Sequence, residues 1–514
     1  MSGKSIQRSG LLLLAAASYC MAQAPTGAAA TARPLALPQS GRVGNVAGSA
    51  TIQQTASPAG TNTINSSVQV NGALSGSIPD PNPPAAGAVT LTLSDAVRLG
   101  LRANLGVISA NNSSTGASAQ RIQALSALLP NISANTSQSV MQVNLAANGF
   151  NFQVPPSLGF SIPTVVGPFG YWQAQGAITQ SIYDAVARRN WKATKELEKA
   201  AILSGKEARE LVVLAVAGTY MQVVATATRI ESQKAQVANA QAIYDQAEVR
   251  KAAGTNSRID VMRTLVQLQT EKQRLSSIES DYKQQKLALA GTIGLPLDRE
   301  ITLVEPLVED GAPAPEMDAA IRQAFQLRSD LQASEAQVAA AKKVLDAARG
   351  ERLPSIAANA NYGISGPNPS SVHPVYTATV SLNVPVWNGG RTKGDIREAE
   401  ATVHQREAEL ADQRRQTEQE VRSAVMKLET AAGQMQLAGS NRTYAAETLK
   451  EARDRFHLGV ANSVEVVQAE QQSAAAETDY VSSLLSLGLA RLNLSKAMGQ
   501  AETSLPDLLR GKNP

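Results

Sequence analysis

The side chains best suited to chemistry are few and far apart. His373, His404 and His457 are the three histidines of this 514-residue chain, and Cys20 is its one cysteine. That leaves no Cys/His cluster with metal-ligand spacing and no internal disulfide. No nucleophile–base pair emerges either, so the sequence predicts neither an enzyme nor a bound cofactor or metal. A formal charge of +4 is small for this length and argues against a nucleic-acid binder held by a basic field. Two acids do stand out. Asp260 and Glu465 each lie six residues beyond a glycine, Gly254 and Gly459.

Those acids occupy equivalent places in a duplication. A shift of 205 residues carries Gly254 onto Gly459, Asp260 onto Glu465, Val261 onto Val466 and Gly294 onto Gly499. Leu129-Pro130-Asn131-Ile132 likewise matches Leu353-Pro354-Ser355-Ile356. One structural repeat spans 89–305 and a second 306–505, with a tail at 506–514. Proline is absent between Pro168 and Pro296 and between Pro385 and Pro506, and both stretches are rich in helix-forming residues. They predict helices near 188–253, 258–290, 391–458 and 463–498, the first about 100 Å long at 1.5 Å per residue. Val261, Leu268, Leu275, Tyr282 and Leu289 recur every seven residues, a coiled-coil period. Their shifted counterparts are Val466, Ser473, Tyr480, Leu487 and Leu494. Shorter helices are expected near 92–128 and 317–351.

Each repeat also contains a window without Asp, Glu, Lys or Arg, in a chain that is 18% charged. Within them, strands are predicted near 131–145, 169–182, 355–366 and 375–387. Tyr376, Ala378, Val380 and Leu382 alternate with Thr377, Thr379, Ser381 and Asn383, which gives one apolar and one uncharged polar face. Transmembrane β-barrels use this pattern. Four strands cannot close a barrel, and open edges are not tolerated in lipid, so the chain must oligomerise: three copies give twelve strands and two give eight. A soluble hairpin packed on a helix bundle is the alternative.

The N-terminus has the plan of an export signal over 1–22. Lys4 and Arg8 precede the apolar run 11–17, and small residues follow at Ala22 and Ala24. Cys20 is an alternative lipidation site, although Tyr19 stands where a lipobox wants a small residue. Residues 23–88 have little to bury and predict a disordered Ala/Gly/Pro/Ser-rich linker.

In this order and spacing the chain resembles the TolC-like outer-membrane efflux protein family over about residues 90–505. The resemblance rests on the segments 455–466 and 253–261, on the helix end Gly291-Thr292-Ile293-Gly294-Leu295-Pro296, and on the strand exit Val384-Pro385-Val386-Trp387-Asn388-Gly389-Gly390-Arg391. Tyr183-Asp184-Ala185-Val186 departs from the pattern at the first strand exit. The resemblance implies a mainly α fold with transmembrane β: a long α-helical coiled-coil barrel, plus four β-strands per subunit completing a trimeric 12-strand outer-membrane barrel. It implies a homotrimer in the outer-membrane lipid with its helices in the periplasm, meeting an adaptor protein and through it an inner-membrane pump. It implies docking tips at Gly254, Thr255, Asn256, Ser257, Gly459, Val460, Ala461, Asn462 and Ser463; ordinary turn residues are the other account of these positions. It makes Asp260, Glu465, Arg258 and Arg455 gate candidates, with the two acids forming carboxylate rings in a trimer. A helix-capping charge is the alternative for each acid. Trp172, Tyr376 and Trp387 fit an interfacial aromatic belt or packing at a barrel–helix junction. The competing overall function is a periplasmic coiled-coil adaptor or scaffold.

Overall fold

The computed structural model describes residues 32–38, 49–56, 64–79, 89–144, 147, 164–254, 257–307, 314–458, 460 and 463–504. The expected signal segment 1–22, Cys20 and the tail 506–514 lie outside them. The chain divides into two compact units.

One unit, which includes 120–194 and 342–400, is built on a four-stranded antiparallel sheet. Its strands, in their order across the sheet, are β4 (Asn131–Asn144), β5 (Val165–Tyr183), β7 (Ser355–Asn368) and β8 (Ser371–Asn383). The register sorts the side chains by face. Ile132 pairs with Ile178 and Ile178 with Ala360; Gly176 pairs with Tyr362 and Tyr362 with Tyr376. The opposite face carries Asn135 beside Gln175, and the rows Ala177–Asn361–Thr377 and Thr179–Asn359–Thr379. The last strand ends at Asn383, not near 387, so Val384, Pro385 and Val386 form its exit. Helix starts follow directly. Asp184 accepts from the backbone N–H of Val186 (2.8 Å) and Ala187 (2.9 Å), so it caps the helix that begins there and needs no Gly-Gly turn. The matching exit uses Gly389 (φ 66°) and Gly390 (φ 87°), both left-handed.

The other unit holds most of the helical residues. α3 (Ala185–Ala252) and α7 (Arg391–His457) contain 68 and 67 residues; α4 (Arg258–Ile293) and α8 (Ser463–Ala497) contain 36 and 35. The seven-residue seam is buried at both ends of α4, at Val261, Leu268 and Leu289, and on α8 at Val466, Leu487 and Leu494. Among the described residues, only α3 holds an 18-residue window apolar enough to span a membrane, and 78% of it is buried inside the protein. Val212, Val213, Val216 and Tyr220 in that stretch form the main core with Leu289, Ile293 and Leu492.

Two expected helices are each broken once. Residues near 92–128 form α1 (Leu93–Ala103) and α2 (Leu105–Ser126), separated by Asn104. The Asn104 side chain is fully buried, donates to the Leu74 carbonyl and accepts from Gly106 N–H, both at 2.8 Å. Residues near 317–351 form α5 (Met317–Leu327) and α6 (Ser329–Gly350), separated by Arg328. β3 (Val89–Leu91) pairs in parallel with β6 (Ile301–Leu303).

The disordered linker expected over 23–88 is corrected for part of its length. β1 (Ser49–Ala56) and β2 (Ile64–Asn71) form an antiparallel hairpin. A few apolar side chains suffice to hold it, because the helices supply the rest of the surface: Ala50 is buried, and Ile52, Val68 and Val70 pack on the helical core. The approach is close enough to exclude a side chain at position 218. A Cβ on Gly218 would collide with the Val68 side chain. Gly218→Ala should therefore destabilise the protein by about 1–3 kcal/mol. Val68→Ala in the same chain should recover much of that loss, measured as thermal midpoints in detergent; additive losses would mean that the two positions do not touch.

Candidate functional site

The tips of the helical hairpins hold most of the residues singled out by sequence. Gly254 has φ 72°, and its N–H donates to the Lys251 carbonyl, ending α3 in a left-handed turn. Thr255, Asn256, Gly459, Ala461 and Asn462 lie outside the described residues. Val460 is exposed, and its N–H reaches the Arg455 carbonyl at 2.9 Å. Ser257 is the N-cap of α4, and Ser463 is the first residue of α8.

The two acids differ in what they touch. Asp260 closes a capping box: its carboxylate accepts from Ser257 N–H (3.3 Å) and Ser257 Oγ (2.6 Å), while Asp260 N–H donates to Ser257 Oγ. It also lies 3.7 Å from Arg263. Glu465 accepts from Arg455 Nη1 at 2.7 Å. Arg455 therefore binds the acid of its own hairpin. Arg258 borders an open groove of about 700 Å³ along α4 and α8, whose floor includes Met262, Val266, Val464 and Val467. Ile259, Met262 and Val266 are each at least half exposed there, which is unusual for large apolar side chains.

The link between α3 and α7 near the tips escapes the sequence reading. The Arg250 guanidinium stacks 4.0 Å from the centre of the buried Phe456 ring and donates to its carbonyl at 2.8 Å. Phe456 in turn packs with Ile243, Ala452 and Val466. A basic residue in the last turn of one helix and an aromatic in the last turn of its repeat counterpart are the available signal. Farther along, Gln233 donates to the buried Glu271 carboxylate at 2.7 Å, and Arg453 pairs with Glu470 at 3.0 Å.

A second cluster escapes it as well. Arg328 forks onto Asp330 (3.0 and 2.6 Å) and reaches Glu420 at 2.6 Å, while Lys496 lies 3.4 Å from Glu420. Gln413 donates to Asp330 at 2.8 Å. Burial alone would raise Asp330 and Glu420, but the cations outweigh it, Arg328 foremost for Asp330 and Lys496 and Arg328 for Glu420, and both carboxylates lie below their ordinary range. α3 brings Glu207 and Glu210 toward the same charges. Loss of surrounding water, and then the Asp330 charge, lift each to about 7, against the opposing pull of Lys496 and Arg328.

In the sheet, Trp172 is half buried on the apolar face, Tyr376 is exposed on the same face opposite Tyr362, and Trp387 is exposed just beyond β8. Trp172 pairs with Gly366 near the β7–β8 turn, so it and Trp387 mark opposite ends of the strands. Phe150, Phe152 and Phe160 lie outside the described residues, and Phe169 sits on β5. Among the described residues no group of three or more His, Cys, Asp or Glu is placed to hold a metal ion.

The family model for outer membrane efflux proteins matches residues 103–295 and 320–500. The chain belongs to that family. It is similar to the pyoverdine export outer membrane protein OpmQ of Pseudomonas putida, 24% identical over 300 residues, covering 55% of this chain and 61% of the relative. The OpmQ of Pseudomonas aeruginosa is 23% identical over 341 residues, covering 64% and 67%. In fold it resembles the Campylobacter jejuni CmeC outer membrane channel (TM-score 0.69, 16% identity, 83% of this chain and 95% of that one). The outer membrane protein VceC of Vibrio cholerae is similar too (TM-score 0.68, 19% identity, 79% and 96%). The fold is that of TolC-family channels, mostly helical with a four-stranded sheet.

Arg250→Ala should free the end of α7, costing about 1–2 kcal/mol locally, and hydrogen exchange around Phe456 should rise severalfold. Glu207 and Glu210 give a pH test. Below about pH 4.5 both are neutral whether the chain is folded or not. As pH rises from about 4.5 to about 7 the unfolded chain releases these protons first, so their contribution to stability falls. Glu207→Gln should thus stabilise the protein at pH 8 by roughly 1–2 kcal/mol given the partial exposure of the side chain, read as a higher thermal midpoint, and leave the midpoint unchanged near pH 4.

Proposed function

We infer that the protein is the outer-membrane channel of a tripartite export system, a passive conduit formed by three copies. The observation that carries this is the four-stranded sheet with an exposed apolar face, a charge-free polar face and two open edges. A periplasmic adaptor or scaffold gives no reason for that apolar face to meet solvent. The rungs from Trp172–Gly366 to Ser355–Asn383 run about 36 Å at 3.3 Å per residue, or about 28 Å of height at a 40° tilt. That height suits an apolar band of about 25 Å. Trp172 and Trp387 then anchor its two borders, with Tyr376 on the lipid face between them. An N-terminal export signal, with Cys20 as the alternative acylation point, delivers the chain.

The periplasmic ends are the gate and the docking surface. Asp260 and Glu465 each form a ring of three acids; the Asp260 capping box and the Arg455–Glu465 pair set the resting geometry, and Arg258 borders the apolar groove that a neighbouring helix pair covers. Gly254, Ser257, Val460 and Ser463 leave tip backbone open to an adaptor hairpin, and the same docking role extends to Thr255, Asn256, Gly459, Ala461 and Asn462, which are small by sequence. The adaptor and an inner-membrane pump deliver the cargo. The names of the two Pseudomonas relatives make pyoverdine one cargo to assay.

Protein extracted from outer membranes in mild detergent should form discrete channels in planar bilayers. Asp260→Ala and Glu465→Ala should alter conductance or reduce cation preference. Unaffected channels would remove the acidic gate, and a water-soluble protein without channel activity would remove the conduit.

A further inference from the structure

The polar face of the membrane sheet has its own chemical character. It carries Ser133, Asn135 and Ser137 on β4, Gln173, Gln175, Thr179 and Ser181 on β5, Asn359 and Asn361 on β7, and Thr377, Thr379 and Ser381 on β8, aligned by the register. None of the four strands, of 14, 19, 14 and 13 residues, contains Asp, Glu, Lys or Arg. The titratable side chains on this face are the imidazole of His373, by the β7–β8 turn, and the phenol of Tyr171. The helical repeats are dense in charge by contrast: α4 alone includes Glu271, Lys272, Arg274, Glu279, Asp281 and Lys283.

Amides and hydroxyls present both a donor and an acceptor, whereas a carboxylate only accepts and an ammonium only donates. A lining of this kind replaces water around an anion with N–H and O–H groups, and around a cation with oxygens. The side chains are also incompletely paired with one another. Asn361 Nδ2 donates to Gln175 Oε1 only at 3.4 Å, and Asn361 Oδ1, although buried, has no hydrogen-bond partner within the chain. Fixed charges, where pores do carry them, impose a sign on the permeant ion. Here that source of selection is missing from the membrane section.

We propose that this section is a charge-neutral, ambidextrous lumen that admits polar cargo of either sign, anionic, cationic or zwitterionic, so that any sorting by charge happens at the helical end. The proposal rests on the channel reading, and the test separates the two. Thr379 and Val380 are neighbours on β8 that point to opposite faces. Each is replaced by cysteine in the full chain, reconstituted in liposomes and treated with two methanethiosulfonate reagents, one bearing a sulfonate and the other a trimethylammonium group; the parent chain sets the background from Cys20. At Thr379→Cys both reagents should react, with rates within about twofold of each other once corrected for their rates with a free thiol. Val380→Cys should be protected from both by lipid. Asn359, the cross-strand partner of Thr379, supplies the calibration: Asn359→Asp should then favour the cationic reagent severalfold.

A tenfold or greater preference for one reagent at Thr379→Cys would overturn the neutral lumen. So would failure of both to react there, or equal rates in the Asn359→Asp background. Val380→Cys labelling as fast as Thr379→Cys would instead place both faces in water and overturn the channel reading beneath the proposal.

Discussion

Among the described residues, strands β4 and β8 each have a neighbouring strand on one side only, which leaves one row of backbone N–H and C=O groups on each without a strand partner, on a sheet whose other defining feature is an exposed apolar face. In hydrocarbon every such group must find a partner within the protein, at a cost of several kcal/mol for each that does not. The two requirements are compatible only if the edges of one copy pair with the edges of others. Oligomerisation is therefore a condition for this sheet to occupy a membrane at all. The charge-free composition follows from the same condition. One face must be cheap to place in lipid, and the other must stay wet without specific counter-ions.

The helical unit solves a different problem. Helices of 68 and 67 residues cannot be stabilised by propensity alone, so each needs neighbours along its length. The seam residues of α4 and α8 supply these, and the β1–β2 hairpin adds cover where Gly218 allows Val68 to approach. Among the described residues, Arg328 is tied into a paired knot with Asp330 and Glu420. Glu207 and Glu210 depart from that pairing, since each remains costly to ionise where it lies, and so does Arg229, whose guanidinium donates to the Ser482 hydroxyl.

Long helices and the uncharged strands are legible because they rest on patterns that are dense in sequence: absent proline, a seven-residue period, absent charge and alternation. The duplication is legible for the same reason. The breaks at Asn104 and Arg328 are not, because both sit among good helix formers and are fixed by distant partners, the Leu74 carbonyl in one case and Glu420 in the other. The β1–β2 hairpin is hidden by composition: its strands contain few apolar residues, and their burial depends on helices more than a hundred residues away. At the tips, Ser257 three residues before Asp260 is a readable capping signal. The Arg250–Phe456 contact joins residues 206 apart and is reachable only through the repeat.

The most direct measurement is the number of chains in the detergent-solubilised particle, by native mass spectrometry or light scattering with the detergent mass subtracted. In the proposed channel, three copies would supply twelve strands and pair both open edges of every sheet. A particle of three chains that dissociates only with loss of the sheet signal is the predicted result. A stable, folded monomer in the same detergent, with β4 and β8 still unpaired, would contradict the account.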